Sequence, residues 1–195
     1  MGKELSKDNH KYTDEELIAR FQNGDEYAFD EIVHRYKDRL LNFIFRFLGQ
    51  MDEAEDIVQD TFLKVYKNKN AYENIARFST WIYTIAGNLA KTELRKRKRR
   101  RMFSISGKGV DEKEYELPSG DRTPEEETDS LFNEKIIQAA IEKLHEKFRT
   151  VIILRDIQEL SYDEISNIIG VPLGTVKSRV NRARLKLQEM LKDIR

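Results

Sequence analysis

The chain has 195 residues, 39% hydrophobic and 36% charged, and its 35 basic and 35 acidic side chains leave a formal net charge of zero. This length suits one ordinary domain or two small ones, and Leu, Ile, Val and Phe, at about 27% of the chain, exceed the roughly 20% below which chains stay disordered. The lack of cysteine excludes a disulfide framework, a thiolate zinc site and a cysteine nucleophile, and fits a reducing cytoplasm.

Nine glycines and three prolines are few, and the apolar residues recur at helical rather than alternating spacing, so the expected fold is all-α. Residues 1–11 form a polar N-terminal tail without the apolar core of a signal peptide. Thr13 followed by Glu16 is a capping box that opens a short helix with Leu17, Ile18 and Phe21 inward, stopped at Asn23 and Gly24. Over residues 27–48, Phe29, Ile32, Val33, Tyr36, Leu40, Phe43, Ile44 and Phe47 lie three and four apart, and Gly49 is the stop. Its most apolar part, residues 40–48, holds Asn42 and Arg46 and is far shorter than the roughly 20 residues of a membrane span.

Asp52 with Glu55 caps the next expected helix, which turns Ile57, Val58, Phe62 and Val65 inward and leaves Glu53, Asp56, Gln59 and Asp60 as an outward polar row. Residues 74–80 read as a loop, and Trp81, Ile82, Ile85 and Leu89 begin a helix that runs into seven consecutive cations, residues 95–101. Residues 102–128 hold Pro118, Pro124 and three glycines without apolar period, and within 107–127 eight acidic side chains face three basic ones. This acidic, flexible linker divides a helical unit at 12–101 from a second at 129–195.

The second unit opens with an amphipathic pattern from Ile136 through Ile141, Leu144, Phe148 and Ile152 to about Gln158. Ser161 and Glu164 form another capping box, Ile165, Ile168 and Ile169 are apolar, and Gly170, Val171 and Pro172 turn the chain. Val176, Val180, Ala183 and Leu187 then share one helical face, which completes a helix-turn-helix pattern. Opposite that face lie Ser178, Asn181 and Arg182, with Lys177 between. These are side chains suited to base edges in a major groove, while Arg179, Arg184 and Lys186 suit phosphates. Phe78, Trp81 and Tyr83 precede the cation block with Asn88 and Lys91, an arrangement compatible with holding unstacked bases along a phosphate track or with ordinary core packing.

In these segments the sequence resembles bacterial sigma-70 family RNA polymerase sigma factors of the extracytoplasmic function (ECF) class. Residues 52–66 (DEAEDIVQDTFLKVY) resemble the family's region 2.2, residues 78–91 (FSTWIYTIAGNLAK) its regions 2.3 and 2.4, and residues 161–187 its region 4.2. The resemblance implies a non-catalytic specificity subunit without a cofactor, built of two small helical domains, region 2 and region 4. Its partners would be core RNA polymerase, through the β and β′ subunits, promoter DNA and an anti-sigma protein. Asp56, Gln59 and Asp60 would dock on the β′ clamp helices. The loop at 74–80, with Phe78, Ser79, Tyr83, Asn88 and Lys91, would hold and read the minus-10 element around a flipped base. Lys177, Ser178, Arg179, Asn181, Arg182 and Arg184 would bind the minus-35 element. Thr84 stands where many relatives carry Arg, and Asn181 where some carry an aromatic, so the promoter sequence does not transfer.

Two other readings compete. Glu31…His34 and Glu142…His145 are both Glu-x-x-His, the pattern of di-iron bundles, but they fall in different units and lack two further inward Glu residues. A stand-alone helix-turn-helix regulator would use the second unit alike and give the first a sensing role.

Overall fold

The computed structural model describes residues 12–104 and 124–192, and among these the secondary structure is helical, without strands. Helix α1 (Asp14–Gln22) starts on the expected capping box: the Thr13 N–H donates to Glu16 Oε2 at 2.7 Å and the Glu16 N–H returns to Thr13 Oγ1 at 3.2 Å. Its Leu17, Ile18 and Phe21 are buried.

Helix α2 (Glu26–Leu48) is the spine, with Ile32, Tyr36, Leu40, Phe43, Ile44 and Phe47 buried along it. Each such side chain removed from water contributes about 2 kcal/mol. The core here is largely aromatic. Phe21 stacks on Phe29 with centroids 4.7 Å apart, and Phe43 and Tyr36 meet Tyr83 and Phe78 edge-on at 5.4 and 5.5 Å. Gly49 ends α2 at φ 80°, a left-handed conformation that glycine adopts without a Cβ penalty.

Helix α3 (Met51–Lys67) begins one residue before the expected cap. Gln50 occupies the N-cap without a side-chain capping bond, its Oε1 accepting instead from Arg97 at 3.2 Å, so Asp52 and Glu55 form no capping box; Asp52 lies in the first turn, where its charge favours the positive end of the helix dipole. A 3₁₀ turn (Lys69–Ala71) follows, tied down by Gln22 Nε2, which donates to the carbonyls of Lys69 (2.8 Å) and Tyr72 (3.0 Å). Helix α4 (Phe78–Ser104) starts three residues earlier than expected because the Phe78 N–H is capped from α1, by Glu15 Oε1 at 2.9 Å. The loop thus shortens to residues 72–77.

Helix α5 (Pro124–Lys143) starts inside the segment expected as linker, so the undescribed residues 105–123 all fall within that linker. The amphipathic stretch expected to run unbroken to Gln158 is divided. His145 is extended at ψ 141° and caps helix α6 (Glu146–Ile152), which continues as a π-helical segment (Ile153–Ile157). Helices α7 (Tyr162–Ile169) and α8 (Leu173–Lys192) form the helix-turn-helix. Ser161 and Glu164 make the expected capping box, and Gly170 closes α7 at φ 64°.

The two units are packed together. Helices α2 and α4 contact α5, α7 and the π segment, and one continuous apolar cluster runs from Leu17 to Ala183. No helix among the described residues is long and apolar enough to cross a membrane.

Candidate nucleic-acid and polymerase interfaces

On α8, Val176, Val180 and Ala183 are buried, so the helical phase fixes the opposite face outward: Lys177, Ser178, Asn181 and Arg182 are all exposed. The Ser178 hydroxyl donates to the Thr175 carbonyl at 3.0 Å, and Arg179 is half-buried. Arg184 differs from its neighbours. Its Nε donates to Asp156 Oδ2 at 2.9 Å in a two-pronged pair, and those hydrogen bonds raise its pKa. Asp156 thus competes with any phosphate for Arg184, a contact between π segment and α8 that the sequence pattern does not signal.

At the other basic focus, the seven cations of 95–101 divide into different roles. Arg97 donates to the Leu48 carbonyl at 2.8 Å, which caps α2, and pairs with Glu53. Lys96 and Arg100 pair with Glu93 at 3.2 and 2.8 Å. Glu53, expected in the outward polar row of α3, is therefore partly covered. The remaining members, Asp56, Gln59 and Asp60, are exposed, and no described cation pairs with them.

The expected minus-10 residues separate by depth. Asn88 is exposed, and Ser79 and Lys91 are half-buried. Phe78 and Tyr83 have no exposed surface in this conformation. Phe78 is a core residue of the first unit, with its ring against Tyr36, Tyr72 and Trp81. Tyr83 is covered by the second unit: its hydroxyl donates to Gln158 Oε1 at 2.6 Å, and Gln158 Nε2 donates to Asn42 Oδ1 at 3.1 Å. Burial pushes the Tyr83 hydroxyl up to about 12, which keeps it protonated and donating at neutral pH.

Residues Asn74, Ile75, Ala76, Arg77 and Ser79 line an open cavity of about 800 Å³, floored by Tyr36 and Arg39 and walled by Leu160 and Glu164. Arg77 reaches across it to Glu164 at 3.1 Å. Burial raises the Glu164 carboxyl, but the Ser161 hydrogen bonds and the Arg77 charge outweigh it and hold the group below its ordinary value. The rival di-iron residues are engaged elsewhere: Glu31 pairs with Arg35 at 2.8 Å and Glu142 accepts from Gln138 at 2.8 Å. Among the described residues no cluster of His, Asp and Glu is arranged to hold a metal.

Residues 32–100 match the family model of sigma-70 region 2, and residues 134–187 that of sigma-70 region 4. The ECF RNA polymerase sigma factor SigW of Bacillus subtilis is 38% identical over 179 residues, covering 91% of this chain and 96% of SigW. The chain belongs to the ECF class of sigma-70 factors. The RNA polymerase sigma-H factor of Pseudomonas aeruginosa is 34% identical over 93% of this sigma factor and 95% of its own length. Among solved structures, the sigma factor RpoE of Bartonella quintana in complex with the anti-sigma factor NepR superposes with a TM-score of 0.67 at 29% identity, covering 86% and 98% of the two chains. CnrH in complex with the cytosolic domain of CnrY shares the fold, with a TM-score of 0.68 at 23% identity over 91% and 96%. The region 2 match removes the stand-alone regulator reading. This sigma factor is a transcription initiation factor that binds core RNA polymerase and recognises promoters, and it is not an enzyme.

Proposed function

We propose that the three residue sets divide promoter recognition among them. Asp56, Gln59 and Asp60 on α3 dock on the β′ clamp helices of core polymerase. The loop before α4, anchored by the buried Phe78 ring, with Ser79, Tyr83, Asn88 and Lys91, holds the minus-10 element, and its cavity accepts a base flipped from the non-template strand; aromatic and polar contacts there offset an unstacking cost of a few kcal/mol. Lys177, Ser178, Arg179, Asn181, Arg182 and Arg184 bind the minus-35 element through α8, which enters the major groove. Two modest DNA contacts joined through polymerase act bivalently, so selectivity needs both elements at the right spacing. The protein works in the cytoplasm under an anti-sigma partner of the kind bound to its structural neighbours.

The observation that supports this reading most is the α3 face. Three neighbouring polar side chains stay exposed there with no ion pair to a described cation, while the adjacent Glu53 is drawn into an ion pair with Arg97. Solvated acidic rows are common, but this one lies within the segment matched to region 2. The test is comigration with bacterial core polymerase on size exclusion. Wild-type protein comigrates, and Gln59→Ala with Asp60→Ala weakens binding at least tenfold, about the effect of losing one or two interface anchors. Undiminished binding by the double variant overturns the assignment of this face.

A further inference from the structure

Several cations that bridge helical elements in this fold have carboxylate partners. Arg46 meets Glu134 at 2.9 Å, Arg77 meets Glu164 at 3.1 Å, and Arg184 is held by Asp156. A partly buried charge without such a partner is costly, because the neighbouring protein displaces water and puts no opposite charge in its place. One cleft of about 220 Å³ departs from that pattern. Lys91 of α4, Lys147 of α6 and Arg179 of α8 line it, with His145, Glu146 and Ile169 beside them. Lys91 and Arg179 are half-buried, yet none of the three cations is in an ion pair with a described residue.

The other lining groups restrict what the cleft can hold. Glu146 is the only carboxylate among them, so three cations face one anion. The Thr150 hydroxyl, also in the lining, already donates to the Glu146 carbonyl at 2.9 Å. His145 Nδ1 accepts from the Lys147 N–H at 3.4 Å, which in the neutral ring leaves the proton on Nε2 and makes that atom a donor. The Lys147 ammonium rests over the Phe148 ring, 5.1 Å from its centre, a contact that uses none of its hydrogen-bond donors. Donors therefore converge from three helices. A carboxylate offers acceptors in one plane, whereas a tetrahedral phosphate offers them all round, and Arg and Lys are the side chains suited to it. At about 30 Å³ per water the cleft has room for about seven waters, enough for two linked phosphates and too little for a duplex.

We propose that this cleft binds a small oligophosphate of the size of inorganic pyrophosphate, with Lys91, Lys147 and Arg179 as charged donors and the His145 Nε2–H as a neutral one. The site is distinct from promoter and polymerase binding: it stands on the geometry of the cleft, and Lys147 and His145 belong to none of the residue sets assigned to polymerase or DNA. The anion offsets the repulsion among three cations brought together from α4, α6 and α8. While bound it also occupies Lys91 and Arg179, which the proposed function gives to DNA.

Inorganic pyrophosphate titrated calorimetrically into the full chain at about 0.15 M salt tests the site. One pyrophosphate binds per chain, with saturation. Lys147→Gln weakens this binding at least fivefold, about the effect of losing one charge-assisted bond, while Lys64→Gln, the same charge change on the exposed surface of α3, alters it by less than about twofold. Glu146→Gln tightens it about threefold, because the one opposing charge is gone. Lys147 and Lys64 are both exposed, and unchanged helical circular dichroism shows that the variants fold. Equal losses in Lys147→Gln and Lys64→Gln would mean an adventitious ion only, and a titration that does not saturate would mean no site; either overturns the proposal. So does a Lys147→Gln variant that loses affinity for a labelled single strand of mixed sequence while pyrophosphate fails to saturate the wild type, since the cleft would then serve nucleic-acid phosphates. Comigration with core polymerase plays no part in these measurements, so the anion site and the assignment of the α3 face fail separately.

Discussion

The Arg149 guanidinium is buried where α5 ends against α2. It donates to the carbonyls of Ile141 (3.1 Å), Glu142 and Leu144 (3.4 Å), and to the Phe47 carbonyl of α2 at 2.8 Å. The Ile141 carbonyl also accepts from the Leu144 N–H at 3.1 Å, and the other three lie at or just past the ends of α5 and α2, so one planar fork serves two C-termini. Burial pulls the Arg149 pKa down, yet an arginine stays protonated at neutral pH, and its charge complements both helix dipoles. Arg149→Met removes this donor from the buried Phe47, Glu142 and Leu144 carbonyls and lowers stability by about 2–3 kcal/mol. Arg149→Lys recovers less than half, because an ammonium cannot span the same acceptors. Urea unfolding with an unchanged slope checks both values, and a loss below about 0.5 kcal/mol for Arg149→Met would show that water satisfies these groups. Nothing in the linear pattern distinguishes Arg149, or Arg97 within its run of cations. Their roles depend on carbonyls 102 and 49 residues away in sequence.

Most local signals were legible and non-local ones were not. The capping boxes at Thr13 and Ser161 form with partners three residues on, whereas the same spacing at Asp52 and Glu55 forms none because α3 starts at Met51 and puts Asp52 inside the first turn. The start of α4 moves because its cap, Glu15, belongs to α1, 63 residues away. The break at His145 has no proline or glycine to announce it and follows from the carbonyls that Arg149 gathers there. On α8 the apolar phase alone placed Lys177, Ser178, Asn181 and Arg182 outward, while the docking and minus-10 roles needed the family resemblance, since composition makes one a solvated row and the other a core. The turn between α7 and α8 shows how far local chemistry carries. Gly170 sits at φ 64° with open space where a Cβ would stand, so Gly170→Ala costs only the left-handed backbone penalty, about 1 kcal/mol. Gly170→Asn costs about half as much, because Asn tolerates that conformation. Thermal unfolding of the two variants measures the difference, and equal losses would place the cost in packing instead.

Two family units joined by a long segment would ordinarily unfold separately, and region 4 alone is near the size at which a single core is marginal. Here both contribute to one apolar cluster, and the interface also buries the Tyr83–Gln158 bond. Coupling of that kind makes a small unit borrow stability from a larger one. The chain has a single tryptophan, Trp81, packed against Tyr72 and Phe78, so its fluorescence reports region 2 alone. Circular dichroism reports the helices of both. In the wild type the two probes give coincident urea transitions, as one cooperative unit requires. With Gln158→Ala and with Glu134→Arg, which breaks the 2.9 Å pair between Arg46 of α2 and Glu134 of α5, the circular dichroism transition begins at lower urea than the fluorescence transition, because region 4 has lost its support while the aromatic core around α2 keeps its own. Separate transitions in the wild type would mean that the shared cluster does not couple the units. Coincident transitions in the variant would mean that the apolar contacts of the shared cluster, rather than the bonds of Gln158 and Glu134, hold the two units together.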